Sequence, residues 1–523
     1  MVIEGCGGSS GTHASSGGGG NFVSDSVRDK IINNAQRAVQ AVPVNSSGLQ
    51  NQALLVTALQ GVSGLGNVQE NSDGSVTSTF SDGVPFVVFN NRPANASPSI
   101  AHPKGPAERT VPNAGQVVLE EGFGNAYNQL NVPLATSSFN SFGYSATSGV
   151  ASVPQLRALG GSSIGVLDLA GHGCPLTVVN NPSYGIFTSS EYSLANAVQN
   201  DPDLQDHALG FGVAGVNLGP TGQIVDETHY IILPNFITKY KWNFSDNSFV
   251  FLDACSGGAP VASAFQQALF FAGASVIQGY STTEKFGGST ADFLFDRMLG
   301  AYKVAPFPTT PQRALSLSDA LAAFVSPPEP NPISIVNPSD TSQRFTALEP
   351  TISSASVSGL TLTLTGEFGT PSGTNTIVNV NGATTTGIKM TPTGLTAALA
   401  NTLSGPVPVF TQVTTPDGRT LTSNTVQVSV SPFWVGNWSF QNKEDPLDYG
   451  TAVFGADSSV EFNETKDGTT FAYGGTFVAG ANTLVLSVVV DGISGSSLYT
   501  VTTLDYDDCI LTGPKYTFAF TRQ

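Results

Sequence analysis

One histidine and one cysteine stand where two apolar runs of the sequence end. His172 follows SIGVLDLA (163–170) and a glycine, and Cys255 follows SFVFLDA (248–254). The carboxyl ends of strands in an open α/β sheet form its ligand-binding edge, so neighbouring strands would bring the imidazole and the thiol together. A thiolate can attack a carbonyl carbon while an imidazole protonates the departing amine and backbone N–H groups stabilise the oxyanion. The pattern therefore favours nucleophilic catalysis by Cys255.

The remaining cysteines fit this pattern less well. Cys174 lies beside the histidine motif as a competing nucleophile, but no preceding strand aims it as Cys255 is aimed. We expect Cys174 and Cys509 to be buried structural residues, the commonest fate of a free cysteine. The chain has no C-x-x-C, H-E-x-x-H or G-x-S-x-G motif, so we predict no metal, no cofactor and no nucleophile elbow.

An apolar strand ending in His-Gly and a second ending in Asp-Ala-Cys resemble the clan CD cysteine peptidases, which include caspases, metacaspases, gingipains, legumain and clostripain. The DAC-x-x-G form at 253–258 is most similar to the clostripain and metacaspase types. The runs at 273–299 and 318–324 also resemble the gingipain and CHAT branches. The resemblance covers residues 115–325.

The resemblance implies that His172 is the general acid and Cys255 the nucleophile. It also implies that the N–H groups of Gly173 and Cys255 form the oxyanion hole. The interval of 83 residues from His172 to Cys255 is longer than in caspases, which implies an inserted segment such as 183–240. The alternative for Cys255 is a buried small hydrophobe without catalytic function.

Asp253 is the candidate specificity residue. In the families that the chain resembles, the residue two before the nucleophile lines the primary specificity pocket, and an aspartate there is typical of arginine-directed types. The strand period of two puts Asp253 and Cys255 on the same side, so a buried carboxylate would select a basic residue, preferably arginine. Asp168 occupies a similar strand-end position. The alternative is that Asp253 only accepts backbone N–H bonds.

Composition excludes some partners. The 523 residues carry 20 basic and 38 acidic side chains, a net charge of −18, so nucleic acid is a poor candidate. No apolar run reaches the roughly 18 residues of a spanning helix, which predicts a soluble chain. Gly5-Cys6 before a Gly/Ser tether resembles a bacterial lipoprotein junction, so we expect export and membrane attachment through a lipidated Cys6. An ordinary cysteine in a flexible tail is the alternative.

Glycine- and proline-rich stretches interrupt the regular patterns of the sequence and predict several domains. Residues 1–21 form a flexible tether, and 22–114 contain a helix (27–42) and a hairpin, a possible prosegment that restrains the catalytic domain. Residues 115–325 form the caspase-like α/β domain, with buried strands at 116–120, 163–170, 248–254 and 274–280. A Pro-rich linker spans 326–348. The glycines at 210, 212 and 215 satisfy G-x-G-x-x-G, but no helix follows, so we expect a loop there.

Everything after the linker is predicted to be β. Residues 349–431 carry short alternating strands and resemble IPT/TIG-type immunoglobulin-like sandwiches. Residues 433–523 suggest an up-and-down barrel, whose Gly436-x-Trp438 start is lipocalin-like. The fold class is thus multidomain, an α/β caspase-like unit followed by a sandwich and a small barrel.

Two functions remain open from the sequence. The first is an exported cysteine endopeptidase that cleaves protein or peptide substrates after a basic residue. The second is a catalytically silent caspase-like surface protein whose β domains bind a ligand or partner.

Overall fold

The computed structural model describes most of the chain. The described residues are 22–45, 49–90, 109–122, 131–179, 181–217, 224–282, 287–305, 314–324, 332–337, 345–368, 375–391, 394–400, 403, 405–430, 433–479, 483–490, 492–503 and 507–523. Cys6 and the predicted tether therefore lie outside the described residues.

Helices and strands intermix from residue 25 to residue 336. The elements up to residue 170 are α1 Asp25–Gln40, α2 Gln52–Gln60, β1 Leu65–Glu70, β2 Val76–Phe80, β3 Pro85–Val88, β4 Arg109–Thr110, β5 Gln116–Glu121, α3 Val132–Ser141, β6 Ser145–Val150, α4 Val153–Ala158 and β7 Ser163–Ala170. The next are β8 Gly173–Val178, β9 Asn181–Glu191, α5 Leu194–Gln205, β10 Leu209–Asn217, β11 Ile224–Ile232, α6 Pro234–Lys239, β12 Asn243–Asp253, α7 Ser263–Phe271, β13 Val276–Tyr280, α8 Gly287–Leu299, α9 Leu317–Ala323 and β14 Pro332–Val336.

A six-stranded sheet in the order β14-β13-β12-β7-β5-β6 forms the centre of this part. The four buried strands expected from sequence are confirmed as β5, β7, β12 and β13. Parallel strands are covered on both faces, which explains their unbroken apolar runs. One face packs against α3, α8 and α9, and the other against α4, α6 and α7. Each fully buried aliphatic or Phe side chain contributes roughly 1.5–3 kcal/mol.

Part of the stretch predicted as a linker is a strand instead. β14, at Pro332–Val336, pairs antiparallel with β13 and forms one edge of the six-stranded sheet. An edge strand tolerates proline because one side of its backbone needs no ladder partner. The prediction of an irregular linker over 326–348 is therefore wrong at Pro332–Val336, and also at Phe345–Thr346, which form a two-residue strand paired with Arg109–Thr110.

A second sheet, in the order β1-β2-β3-β10-β11-β9-β8, joins distant parts of the chain. Strand β3 from the N-terminal hairpin pairs parallel with β10. The expected insertion at 183–240 supplies β10, β11 and most of β9. The boundary predicted at residue 114 thus separates segments that share one hydrogen-bonded sheet and one core.

The glycine motif at 210–215 lies in strand β10, so the predicted loop is wrong. Its pairing with β11 runs without interruption from Leu209 to Asn217. A Cβ added at Gly212 would collide with the ring of Phe187, so glycine here allows the close approach of a core aromatic.

Arg28 ties α1 to the β2–β3 hairpin. Its side chain is fully buried, and its Nη2 lies 2.6 Å from the Asp82 carboxylate. The guanidinium also faces the rings of Phe80 and Phe211, 4.9 and 5.6 Å from their centroids. A buried charge of this kind must keep its partners because a lone one costs several kcal/mol.

The segment from residue 345 to residue 430 is a two-sheet sandwich. Its strands, with the short β15 that pairs with β4, are β15 Phe345–Thr346, β16 Thr351–Ser358, β17 Thr361–Glu367, β18 Asn375–Val380, β19 Ala383–Thr384, β20 Lys389–Thr391, β21 Gly394–Ala398, β22 Gly405–Thr414, β23 Thr420–Thr422 and β24 Val426–Val430. The sheets are β16-β17-β21-β20 and β19-β18-β22-β23, with β24 paired to β22. The inner faces form one apolar core.

The β22–β23 turn docks this sandwich on the α/β part. The Asp417 carboxylate accepts the Gly115 N–H at 2.5 Å, and the Arg419 guanidinium donates to the Pro112 carbonyl at 2.8 Å. Arg419 also stacks over the Tyr144 ring at 4.1 Å. Charged hydrogen bonds and a cation–π contact therefore fix the two units to each other.

The last strands close into an eight-stranded barrel, as predicted. They are β25 Gly436–Asn442, β26 Tyr449–Phe454, β27 Ser459–Lys466, β28 Thr469–Ala479, β29 Thr483–Val490, β30 Ile493–Thr503, β31 Asp508–Thr512 and β32 Thr517–Arg522. Every strand pairs with its chain neighbours and β32 pairs with β25, so no edge is left open.

None of the helices in the described ranges has both the length and the apolar character needed to cross a bilayer.

Replacing Arg28 with alanine should loosen α1 and the hairpin selectively. Breaking the buried pair leaves Asp82 without its guanidinium, which costs roughly 3–5 kcal/mol. Amide hydrogen exchange should therefore accelerate in α1 and β2 but not in the barrel. The exposed Arg37→Ala is the matched control on the same helix. Unchanged protection of α1 in Arg28→Ala would contradict this role.

Candidate active site

The two predicted catalytic residues follow adjacent central strands in equivalent positions. Strands β7 and β12 pair parallel, with Ala170 opposite Asp253 as the last register pair. The Gly171 N–H donates to the Asp253 carbonyl at 3.1 Å, which continues the pairing one residue further. His172 and Cys255 each stand two residues beyond that pair. The structure thus brings the imidazole and the thiol to one edge of the sheet.

Gly173 lies directly against the backbone of Cys255. A Cβ at this position would come within 2.5 Å of the Cys255 carbonyl oxygen and closer still to the Tyr184 hydroxyl. That hydroxyl donates to the same carbonyl at 2.5 Å. Only glycine fits here, and the Tyr184 bond ties the end of β12 to the second sheet.

The chain turns sharply after Cys255. Ser256 adopts φ +58, in the left-handed region that costs a non-glycine residue roughly 1–2 kcal/mol. The next three N–H groups are occupied: those of Ser256, Gly257 and Gly258 donate to the carbonyls of Thr282, Ala254 and Tyr280 at 2.8, 3.0 and 2.8 Å. An oxyanion at this edge would need other donors.

The His172 ring is buried beneath Phe89. Their centroids lie 3.8 Å apart with the planes inclined by 32°, and Phe187 meets the imidazole edge-on at 6.0 Å. Burial, with a smaller contribution from the neighbouring His229, lowers the pKa of His172 to about 3. The imidazole is therefore neutral at physiological pH in this arrangement.

His229 is a second buried imidazole at the site. It lies on β11, 4% exposed, and its Nε2 is 3.5 Å from the Glu227 carboxylate. Burial lowers its pKa to about 4. Sequence reasoning missed this residue, because it lies inside a strand and only the sheet order brings it near His172.

The cover over His172 comes from the N-terminal segment. Phe89 directly follows β3, and its N–H donates to the Val213 carbonyl on β10 at 2.9 Å. The contact between Phe89 and His172 is therefore the one through which residues 22–112 would restrain the site. Deleting that segment would also strip three strands from the second sheet, so a single substitution at Phe89 is the cleaner perturbation.

The other described cysteines lie in apolar surroundings. Cys174 packs in a small cluster with Val87, Phe187 and Ile231, and burial raises the pKa of its thiol well above the usual range. Cys509 lies in the barrel core, where burial raises its pKa to about 12. Both environments disfavour a thiolate.

Asp168 and Asp253 lie on the same face of the six-stranded sheet, and Asp253 has a small residue, Ala170, beside it on β7. Asp168 pairs with Phe251, and Asp253 pairs with Ala170, so both carboxylates point to the side covered by α8. Asp168 is fully buried and lies two residues deeper, and Asp253 is 5% exposed. The structure brings both specificity candidates to the carboxyl-end edge.

Glu121 is a further acidic residue that the sequence interpretation missed. It ends β5 opposite Ala170, so Glu121 and Asp253 flank that alanine from its two neighbouring strands. Neither carboxylate oxygen of Glu121 has a hydrogen-bond partner among the described residues. Burial, with a smaller contribution from Asp292 on α8, raises its pKa to about 7. The Glu-Glu end of the strand QVVLEE was the signal that could have identified it.

Within the described residues, no group of three or more His, Cys, Asp or Glu side chains is placed to hold a metal ion.

Comparison with known proteins assigns no family. No protein-family model and no curated protein matches the chain. A solved structure of an uncharacterised protein from Listeria monocytogenes is 17% identical, covers 32% of this chain and 16% of its own, and superposes with a TM-score of 0.12. A superposition this poor supports no conclusion about fold or function.

Uncovering His172 should raise its pKa. In Phe89→Ala, water reaches the ring and its pKa should rise from about 3 toward the ordinary value of 6.5. The pKa of His172 is lower in the folded protein than in the unfolded chain, so the unfolded chain binds the proton first as the pH falls. The free energy of unfolding therefore decreases from pH 6.5 toward pH 3. NMR titration of the histidine Cε1–H signals measures the shift. Phe271→Ala, which removes an 84% exposed ring, is the control, and an identical titration in both variants would contradict the cover.

Proposed function

We propose that this protein is a cysteine endopeptidase with Cys255 as nucleophile and His172 as general acid. The observation that carries the proposal is the common register of the two residues, each two positions beyond the Ala170–Asp253 pair on adjacent parallel strands. The resemblance of the motifs to clan CD peptidases supports the same roles.

In each half of the proposed reaction, one bond to the acyl carbon forms and another breaks. The Cys255 sulfur attacks the scissile carbonyl carbon, and its proton passes to His172. The carbon–nitrogen bond then breaks, and His172 returns the proton to the leaving amine. Water hydrolyses the thioester, which releases the acid and restores the thiol.

The oxyanion would be held by the N–H groups of Gly173 and Cys255, as the resemblance implies. The crowding of Gly173 against the Cys255 carbonyl supports this pairing, because it keeps the two backbone segments in contact. The N–H groups of residues 256–258 are already bonded and do not compete for this role.

Basic selectivity, with arginine preferred, is supported by the acidic face beside the nucleophile. Asp253 and Glu121 stand on either side of Ala170, whose small side chain leaves space between them. Asp168 lies beneath and Asp292 lies beside Glu121. A guanidinium would pair with a carboxylate in bidentate fashion, whereas an acidic side chain would meet only like charge.

The finer fold assignments belong to the same proposal. Residues 115–325 would be a caspase-like peptidase domain, 349–431 an immunoglobulin-like domain of the IPT/TIG type and 433–523 a lipocalin-like barrel. Export with a lipidated Cys6 stays a prediction, since that residue lies outside the described part of the chain.

One observation favours the alternative of a catalytically silent surface protein. His172 is covered by Phe89 and Cys255 is only 5% exposed, so neither reaches solvent freely. Under the peptidase proposal the Phe89 ring must move before a substrate can bind.

Peptide cleavage tests the proposed preference for arginine directly. Among fluorogenic peptides ending in Arg, Lys, Asp and Leu, the Arg peptide should be cleaved fastest. Cys255→Ala should abolish cleavage. Asp253→Asn should reduce the Arg-to-Leu ratio of kcat/KM at least tenfold, about 1.4 kcal/mol, while the exposed Asp246→Asn on the same strand should leave it unchanged. Preferred cleavage after Asp or Leu would refute the assignment.

Thiol alkylation separates the two functions without a substrate. In a full-length Cys6→Ser protein at pH 7.5, iodoacetamide should modify Cys255 well before Cys509, whose pKa is raised to about 12 by burial. Mass spectrometry of tryptic peptides gives the order. Modification of Cys255 no faster than Cys509 would favour the silent surface protein.

A further inference from the structure

The barrel contains a cavity that the proposed peptidase reaction does not use. This partly open cavity of about 80 Å³ lies among side chains of β25, β27, β28, β29, β30, β31 and β32. Its walls are largely aromatic, with six rings from Phe440, Phe462, Tyr473, Tyr499, Phe518 and Phe520. Barrels of this size are usually filled by side chains or hold one small ligand.

One end of the barrel is closed by packing. Trp434 folds under the barrel and accepts the Trp438 indole N–H at its carbonyl, 2.9 Å away. The Arg522 guanidinium covers Trp438 at 4.3 Å and donates to the Val435 carbonyl. Access to the cavity is therefore from the opposite end.

Apolar side chains are exposed at that opposite end. Phe471 pairs with the cavity residue Glu464, and Ile493 pairs with Val490 at the β29–β30 turn. Phe471 is 45% and Ile493 75% exposed. An apolar rim of this kind is suited to receive the body of an organic molecule.

Glu464 is the one charged side chain in the described lining of the cavity. The Tyr473 hydroxyl donates to its carboxylate at 2.5 Å, and the hydroxyls of Tyr499 and Ser497 are the other polar groups in the wall. Lys466, the nearest lysine along β27, lies outside the lining over the Tyr516 ring at 5.4 Å. The cavity therefore offers one carboxylate and several electron-rich ring faces, and the nearby Lys466 is shared with a second carboxylate, that of Asp448, 3.9 Å from its Nζ.

We propose that this cavity binds an organic cation, an amine or quaternary ammonium with an apolar body. A cation over Phe or Tyr faces gains roughly 0.5–2 kcal/mol per favourable contact, and a carboxylate in a partly dry site adds more. An organic anion of the same shape would face like charge and the negative faces of the rings. The site recognises the sign of the charge as well as the apolar surface.

A purely structural role explains Glu464 poorly. The position faces the barrel interior, where burial and the neighbouring Asp448 carboxyl raise the pKa of the Glu464 carboxyl, and the Tyr473 hydroxyl and Lys466 offset only part of that rise. Glu461, three residues earlier, points outward and shows that β27 accommodates a glutamate in solvent without this cost.

Calorimetric titration of the full-length protein with benzyltrimethylammonium, benzyl alcohol and phenylacetate is the experiment. The cation should bind at least tenfold more tightly than the alcohol, and phenylacetate should bind weakest. Glu464→Gln should remove most of the preference for the cation, whereas the matched Glu461→Gln should bind as the unchanged protein does.

A second variant addresses the rings and guards against misfolding. Phe518→Leu keeps apolar volume in the wall but removes one ring face, so it should weaken the cation more than benzyl alcohol. Circular dichroism with an unchanged thermal transition qualifies each variant for comparison. No binding of benzyltrimethylammonium by the unchanged protein, equal binding of phenylacetate, or full binding by a folded Glu464→Gln would each overturn the proposal.

Discussion

The parallel pairing of β7 with β12 is the constraint on which the rest of the α/β part depends. Both strands are covered on both faces, so a shift of one residue would turn each apolar side chain and each strand-end carboxylate to the opposite face. The register that buries the core is the same register that sets His172 level with Cys255. Core packing and site geometry are thus one requirement here.

The second sheet then decides how accessible that edge is. It supplies Tyr184, which holds the end of β12, and Phe89, which covers the imidazole. Under the peptidase proposal, His172 must contact both Cys255 and the leaving amine, so the Phe89 ring has to move aside. The Phe89 N–H is bonded to the Val213 carbonyl, so rotation of the side chain would uncover His172 while the backbone stays in the sheet.

Acidic side chains lie at both of the binding sites proposed for this chain. The sheet edge has Glu121 and Asp253 around a small alanine, and the barrel has Glu464 among aromatic rings. Both places favour cations, for different reasons: clustered carboxylates suit a guanidinium, whereas one carboxylate with ring faces suits a less polar ammonium. The surplus of acidic over basic residues, 38 against 20, agrees with both.

The sequence by itself determined the strands, because buried parallel strands must be unbroken apolar runs and β7 covers the same eight residues that the pattern predicted. It also determined that His172 and Cys255 follow strands, and that the last segment closes as a barrel. Only the tertiary structure decided that β14 completes the sheet, that β10 is a strand despite its glycines, and that Glu121, Phe89 and His229 join the site. The reason is physical: the local pattern records which face of an element is buried, whereas contacts between different elements depend on the order in which the strands pair.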